Sequence, residues 1–202
     1  MNNLKNYYKD KFKIYGPSLR GVGWTEKKKS KKRYKVLLKL LKFKTDNKIF
    51  SLLDVGCGYG ELVNYIPKNL KYKYTGIDVV KEMIGYAKNK NKNQSCNFYV
   101  KNILNISKKY DFIVCNGLFT LKNKLSQKEM KQFVVKCIKI FHKFSKIGFS
   151  FNLMSEVVDY KSKILFYPSR NIVIKTLKNK NISVIKIDNK SINYERFYFV
   201  KK

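Results

Sequence analysis

The chain is poor in acid, arginine and histidine. Among its 202 residues 45 are Lys or Arg and only 13 are Asp or Glu, so the formal charge is +32. Almost all of that charge is lysine; the arginines are Arg20, Arg33, Arg170 and Arg196. Nucleic-acid sites draw on arginine for bidentate contacts to phosphate and guanine, so its scarcity argues against a dedicated nucleic-acid partner. Abundant Lys, Asn, Ile and Tyr are what AT-rich coding produces, and such a surface attracts polyanions non-specifically at low salt. One histidine, His142, and four scattered cysteines, Cys57, Cys96, Cys115 and Cys137, show no C-x-x-C pair. They argue against a metal site and a disulfide framework, and fit a reducing cytoplasm. No apolar run reaches the length of a membrane span, and Met1 to Tyr15 alternates Lys, Asn and Tyr without a signal-type apolar segment. What the chain does have is 44% hydrophobic and 15% aromatic content, enough to bury the core of one domain over residues 1–202.

The most informative stretch runs from Leu52 to Leu62. An apolar run, Ile49 to Leu53, leads into Asp54; glycines then alternate at Gly56, Gly58 and Gly60, and Leu62, Val63 and Ile66 follow at helical spacing. That is a buried strand, a tight turn and the start of a helix, which places a ligand at the carboxyl edge of a parallel sheet. Glycine lets the backbone turn sharply and lets a ligand approach closer than a Cβ permits. A dinucleotide fingerprint, G-x-G-x-x-G, puts a pyrophosphate on the helix N-terminus. Here the third glycine comes one residue early and an acid precedes the first, which would repel a pyrophosphate and attract a cation. The stretch resembles the first motif of the class I S-adenosylmethionine (SAM) methyltransferases, whose cofactor carries an ammonium and a sulfonium.

Along the rest of the chain, Met1 to Trp24 is polar and aromatic with turn signals at Gly16-Pro17 and Gly21-Val22-Gly23. A helix is predicted from Thr25, with Tyr34, Leu37, Leu38 and Leu41 on one face and the run Lys27 to Arg33 at its start, read as a solvated face. After the glycine turn a helix is expected to about Ile66 and a strand from Tyr72 to Ile77, ending in Asp78. Helical spacing follows through Val80, Met83, Ile84 and Ala87, then a solvated loop from Lys88 to Asn93. Strands are predicted over Asn97–Lys101, Tyr110–Cys115 and Ile147–Leu153. Ser126 and Glu129 form a capping box opening a helix with Met130, Phe133, Val134, Cys137, Ile138 and Phe141 on one stripe, ended by His142. A weaker helix near Ser169–Leu177 precedes strands at Ile182–Ile187 and Tyr194–Val200. Strands alternating with helices indicate a parallel α/β sheet, and the last two strands an antiparallel hairpin.

Asp78, at a second strand end, can accept hydrogen bonds from two ribose hydroxyls; equally it can cap the segment that follows. Asn102 follows the third strand where many enzymes of this class carry an acid for the adenine amino group, and Val79 and Ile103 would flank the ring. Tyr110 to Gly117 resembles the fourth-strand motif, whose end, Asn116, lies beside the transferring methyl. This chain lacks the Pro-Pro-aromatic sequence of amino-methylating nucleic-acid enzymes, a proline before Cys115 and an acid at Asn116, so three nucleic-acid subclasses lose support. A longer resemblance rests on Tyr15-Gly16-Pro17-Ser18, Gly23-Trp24, Arg33-Tyr34, Phe151 to Met154, Val158-Asp159-Tyr160 and Tyr194-Glu195. These are similar to a family of small bacterial class I methyltransferases of metabolite or sugar type, with Tyr15 in place of the usual His and Tyr34 in place of Phe.

The resemblance implies a Rossmann-like α/β fold: a mostly parallel seven-stranded sheet with an antiparallel last strand and helices on both faces. Residues 1–48 would form a cap and first helix, and 49–202 the SAM-binding core. Cofactor contacts are expected from Trp24, Arg33, Asp54, Gly56, Gly58, Gly60, Asp78, Val79, Asn102, Ile103 and Asn116. Trp24 would close over the cofactor and Arg33 pair with its carboxylate. Asp159, Tyr160, Tyr194 and Glu195 are candidates for the acceptor pocket, with Asn116, Tyr160 and Glu195 carrying the chemistry and no metal involved. The expected reaction is methyl transfer to a small, anionic acceptor at oxygen. The alternatives are an RNA or DNA methyltransferase using the Lys-rich face, or a SAM-binding protein without turnover.

Overall fold

A computed structural model describes the chain except at residues 1, 25, 45, 47, 93–95, 179 and 183. Seven strands form one sheet: β1 (Phe50–Val55), β2 (Tyr72–Asp78), β3 (Cys96–Val100), β4 (Tyr110–Cys115), β5 (Ser145–Met154), β6 (Val184–Asp188) and β7 (Glu195–Lys201). Their order is β3-β2-β1-β4-β5-β7-β6. β1 to β5 pair in parallel, whereas β7 runs antiparallel to both β5 and β6. This is the Rossmann-like arrangement expected from the resemblance, with the terminal hairpin inserted beside β5.

Helices cover both faces because the central strands alternate their apolar side chains between two cores. Leu53 and Val55 of β1, with Ile113 and Cys115 of β4, pack with α4 (Gln127–Phe144) and α5 (Ile172–Leu177). Phe50 and Leu52, with Phe112 and Val114, pack with α2 (Lys27–Leu37) and α3 (Lys81–Lys90). α4 buries the predicted stripe, and Ser126 and Glu129 close the predicted capping box. A cap of this kind contributes about 1 kcal/mol. The strand order reverses direction between β1 and β4, and a crevice at the carboxyl ends of such strands is where ligands bind.

Several elements differ from expectation. Asn2–Tyr15 is a helix, α1, not a turn-punctuated polar segment. Leu4, Tyr8 and Phe12 recur every four residues, and Leu4 and Phe12 are buried. The predicted start of α2 at Thr25 lies outside the described residues; the helix runs from Lys27, and Leu38 and Leu41 of its stripe fall on a 3-10 turn, Leu38–Phe43. The segment after the glycine turn is also 3-10, Glu61–Tyr65, because Gly60 enters it left-handed and Pro67 follows it closely, leaving no room for an α-helix. Lys88 to Lys90 close α3 instead of opening a loop, and Asn93 lies outside the described residues. β6 runs from Val184 to Asp188, and Ser183 of the predicted strand is not described. Tyr194 sits before β7 with φ 65°.

Candidate active site

The glycine turn leaves β1 with three residues in the left-handed region: φ is 71° at Gly56, 54° at Gly58 and 80° at Gly60. A side chain there would be strained, so the alternation of glycines is the alternation of the backbone itself. The turn is tied to β2: the N–H groups of Gly56 and Cys57 both donate to the Ile77 carbonyl, at 2.8 and 3.1 Å. Asp78 then clamps it from the side. One carboxylate oxygen accepts from the Gly58 N–H at 3.0 Å and the other from the Val80 N–H at 3.0 Å. Asp78 is thus both ligand candidate and local brace, and each of its oxygens keeps a lone pair for a further donor.

Asp54, one residue before the end of β1, is 2% exposed and accepts from the Tyr74 hydroxyl at 2.6 Å. Burial pushes its carboxyl up to about 7, against the Tyr74 hydrogen bond and with help from the charge of Asp78. Burial also raises Asp78, opposed by its backbone donors. Two carboxyls held above their ordinary range in one cleft are relieved by an incoming cation.

One cleft gathers most of the expected residues. Trp24, Asp54, Gly56, Gly58, Asp78, Val79, Asn102, Ile103 and Asn116 all line it. Gly60 does not; a Cβ there would stand 2.9 Å from the Phe98 ring, so its role is packing against β3. Asn102 uses its side-chain oxygen to accept from the Leu104 N–H at 2.9 Å, which leaves one lone pair for an adenine amino group. Asn116 presents a buried side-chain oxygen without a hydrogen-bond partner among the described residues.

The two expectations for Arg33 and Glu195 need correction. Both are buried, and they pair with each other: Arg33 Nε lies 2.8 and 3.0 Å from the two Glu195 oxygens, and an Nη group makes a further contact. Neither lines the cleft, so Arg33 has no free face for a cofactor carboxylate and Glu195 none for an acceptor. Tyr160 is also displaced from its expected place. It is 78% exposed on the loop after β5, outside the cleft. Asp159 and Tyr194 bind each other on that same surface, the phenol donating to the carboxylate.

Sequence reasoning missed the contribution of α1. Leu4, Lys5 and Tyr8 close one side of the cleft, and Phe12 packs with Tyr59, Val80 and Met83 in a small core of its own beside it. The four-residue recurrence of Leu4, Tyr8 and Phe12 carries that signal. Asn152 is also readable, as a polar residue inside the apolar run of β5; it is fully buried. Its side-chain oxygen accepts from the Gly117 N–H at 2.8 Å, and its amide donates to Glu195 at 2.9 Å.

Residues 52–141, the span from the glycine turn through α4, match the family described as "Methyltransferase domain". A Mycobacterium tuberculosis protein named as a putative methyltransferase, Rv1506c, is 31% identical over 111 residues, which make up 54% of this chain and 66%, just under two thirds, of that relative. Over these spans the chain is similar to methyltransferases. Solved structures agree on the fold. The magnesium protoporphyrin IX methyltransferase of Synechocystis, crystallised with S-adenosylhomocysteine (SAH), superposes with a TM-score of 0.70 at 13% identity, over 100% of this chain and 99% of that one. The N-methyltransferase NodS of Bradyrhizobium japonicum gives 0.63 at 16% identity, over 88% and 98%. The geranyl diphosphate C-methyltransferase of Streptomyces coelicolor gives 0.58 at 10%, over 83% and 73%. At these identities the likeness is one of fold, and the acceptors differ among the three. The class I cofactor fits the donor set of this cleft. Asp78 would offer lone pairs to the ribose hydroxyls, the left-handed glycines keep side chains out of the turn, and Asp54 would supply negative potential toward the ammonium and sulfonium.

Proposed function

We propose that this chain transfers the methyl group of SAM to a small acceptor, at an oxygen of a carboxylate or phosphate. The observation that carries the methyltransferase reading is the Asp78 carboxylate bridging the glycine turn and the start of α3 inside the cleft. SAM, when bound, supplies an electrophilic methyl on a sulfonium. The chain's own residues would then hold the cofactor, exclude water and align the acceptor, since in-line displacement depends mainly on alignment. Val79 and Ile103 offer the adenine apolar walls. Trp24, Asn116, Gly117 and Leu118 form the remaining wall, where the acceptor would meet the methyl.

Two features support an anionic oxygen acceptor. Lys5 and Lys101 line the cleft alongside Asp54, Glu61 and Asp78, and are the cations there that an acid would meet. An ionised carboxylate or phosphate is already a nucleophile at neutral pH, so it needs no general base. Unpaired thiols at Cys57, Cys96, Cys115 and Cys137 support work in the cytoplasm. No helix among the described residues is long and apolar enough to cross a membrane.

The test is methyl incorporation from labelled SAM into a fractionated metabolite extract, with purified RNA and DNA as parallel acceptors. Label in a small-molecule fraction, as a base-labile methyl carboxylate ester or a base-stable methyl phosphate, supports the reading. Label only in nucleic acid overturns the acceptor. Calorimetry showing no heat with SAH overturns the whole.

A further inference from the structure

Five residues close a ring through space behind the cleft wall. The Arg33 guanidinium lies 3.8 Å from the centre of the Trp24 ring. Arg33 pairs with Glu195, Glu195 accepts from the Asn152 amide, and Asn152 accepts from the Gly117 N–H. Gly117 returns the chain to its start, because a Cβ built on it would stand 2.5 Å from the Trp24 ring. The ring closes only because residue 117 has no side chain and adopts φ 75°.

Each link comes from a different part of the fold: the segment before α2, α2 itself, β7, β5 and the turn after β4. Trp24 and Gly117 line the cleft; Arg33, Glu195 and Asn152 stand behind it, each buried. Taking an arginine and a glutamate out of water is costly, and here both Glu195 oxygens are satisfied by Arg33 and Asn152 together. The planar fork of Arg33 does two things that a lysine could not do at once, binding a carboxylate along its edge and stacking its face on an indole.

We propose that Arg33, Glu195 and Asn152 form the positioning device of the acceptor side. They set the gap between the Trp24 indole and the Asn116–Gly117 turn, and so govern how an acceptor is aligned, not how tightly the cofactor is held. Their bearing on an acceptor rests on the methyltransferase reading; the coupling of Trp24 to Glu195 does not. Glu195 acts here through Arg33 and Asn152 and is a positioning residue.

Trp24 is the single tryptophan of the chain, so its emission reports this ring alone. The experiment measures the Trp24 emission maximum and acrylamide quenching in the wild type, Glu195→Gln, Arg33→Lys and Asn152→Ser, with SAH calorimetry and thermal melts alongside. In folded Glu195→Gln and Arg33→Lys the emission should shift to the red. Quenching should rise about twofold as the guanidinium leaves one face of the half-buried ring. Asn152→Ser keeps the ion pair but frees the Gly117 N–H, and should give a smaller change of the same sign, which keeps the test decisive if Glu195→Gln fails to fold. SAH affinity should stay within about threefold, under 1 kcal/mol. Unchanged emission and quenching in the folded variants overturn the proposal, since a merely structural pair lowers the melting temperature without altering the native indole. A loss of SAH affinity beyond about tenfold with quenching unchanged also overturns it, by assigning the network to the cofactor. If the wild type binds no SAH, the methyltransferase reading fails, while the Trp24 results still decide the coupling.

Discussion

The two ends of the cleft are built in different ways. The cofactor end is made of short, contiguous pieces: the turn from Asp54 to Gly60, and Asp78 with Val79 and Val80 at the end of the next strand. Its geometry is held by backbone donors, with Gly56 and Cys57 on Ile77, and Gly58 on Asp78. The end proposed for the acceptor is walled by Trp24 and Gly117 and backed by Arg33, Asn152 and Glu195, residues scattered along the chain. There the links are side-chain hydrogen bonds, an ion pair and one stacked guanidinium. A backbone-held site tolerates many surrounding side chains, so one turn can serve many enzymes. A side-chain-held wall changes with each substitution, which is where acceptor choice is expected to diverge among relatives of this fold.

The largest effect that would sharpen this contrast is expected at the cofactor end. Asp78→Ala removes the clamp on Gly58 and the acceptors for two hydroxyls. It should weaken SAH binding by about 3 kcal/mol, on the order of a hundredfold, while leaving the Trp24 emission unchanged. A matching loss of Trp24 signal would mean the two ends are not separate. Next in size is the pH dependence. The free Asp54 carboxyl titrates near 7 because burial penalises its charge, and the cationic ligand requires that charge. SAH affinity should therefore fall as pH drops below about 7, by up to tenfold per unit, and level off above it. A flat profile between pH 5.5 and 8 by calorimetry would show that Asp54 is not the cation's partner.

Gly117→Ala reverses the pattern at the other end. A Cβ at φ 75° against the indole should displace Trp24, costing on the order of 1–3 kcal/mol in stability and shifting its emission, with a smaller loss of SAH affinity. Ser126→Ala is the control outside both ends: it breaks the α4 capping box and should cost about 1 kcal/mol by thermal melt with no change in SAH binding. Any binding defect there would mean that global stability, not local geometry, controls the cleft.

Much of the cofactor end is legible in the residues themselves, because its physical causes are local. Alternating glycines state a backbone that must go left-handed, and an acid at the end of an apolar run states a charged group at a sheet edge. Arg33 and Glu195 mislead for the opposite reason. Each is a plausible partner for a ligand, and nothing near either in the chain announces that they lie together. The ion pair arises because β7 inserts antiparallel beside β5, bringing Glu195 level with Met154 and next to Asn152 on the strand Arg33 faces. Tyr160 departs from its expected place because the loop after β5 leaves it exposed, outside the cleft. The polar residues of α1 outweigh the spacing of Leu4, Tyr8 and Phe12, a pattern that matters only once Val80 and Met83 supply a surface to bury it.

What the sequence determined by itself is the pair of strands β1 and β2 with the glycine turn that leaves β1, the capped helix α4 and the cofactor chemistry of the cleft. Hydrophobic period, left-handed glycines and caps act within a few residues and need no distant partner. What the tertiary structure alone decided is how α1 covers the cleft and which charges remain free to meet a ligand. Burial makes an unpaired charge intolerable, so whichever acid and base the topology brings together, here Glu195 and Arg33, must satisfy one another before either can serve a substrate.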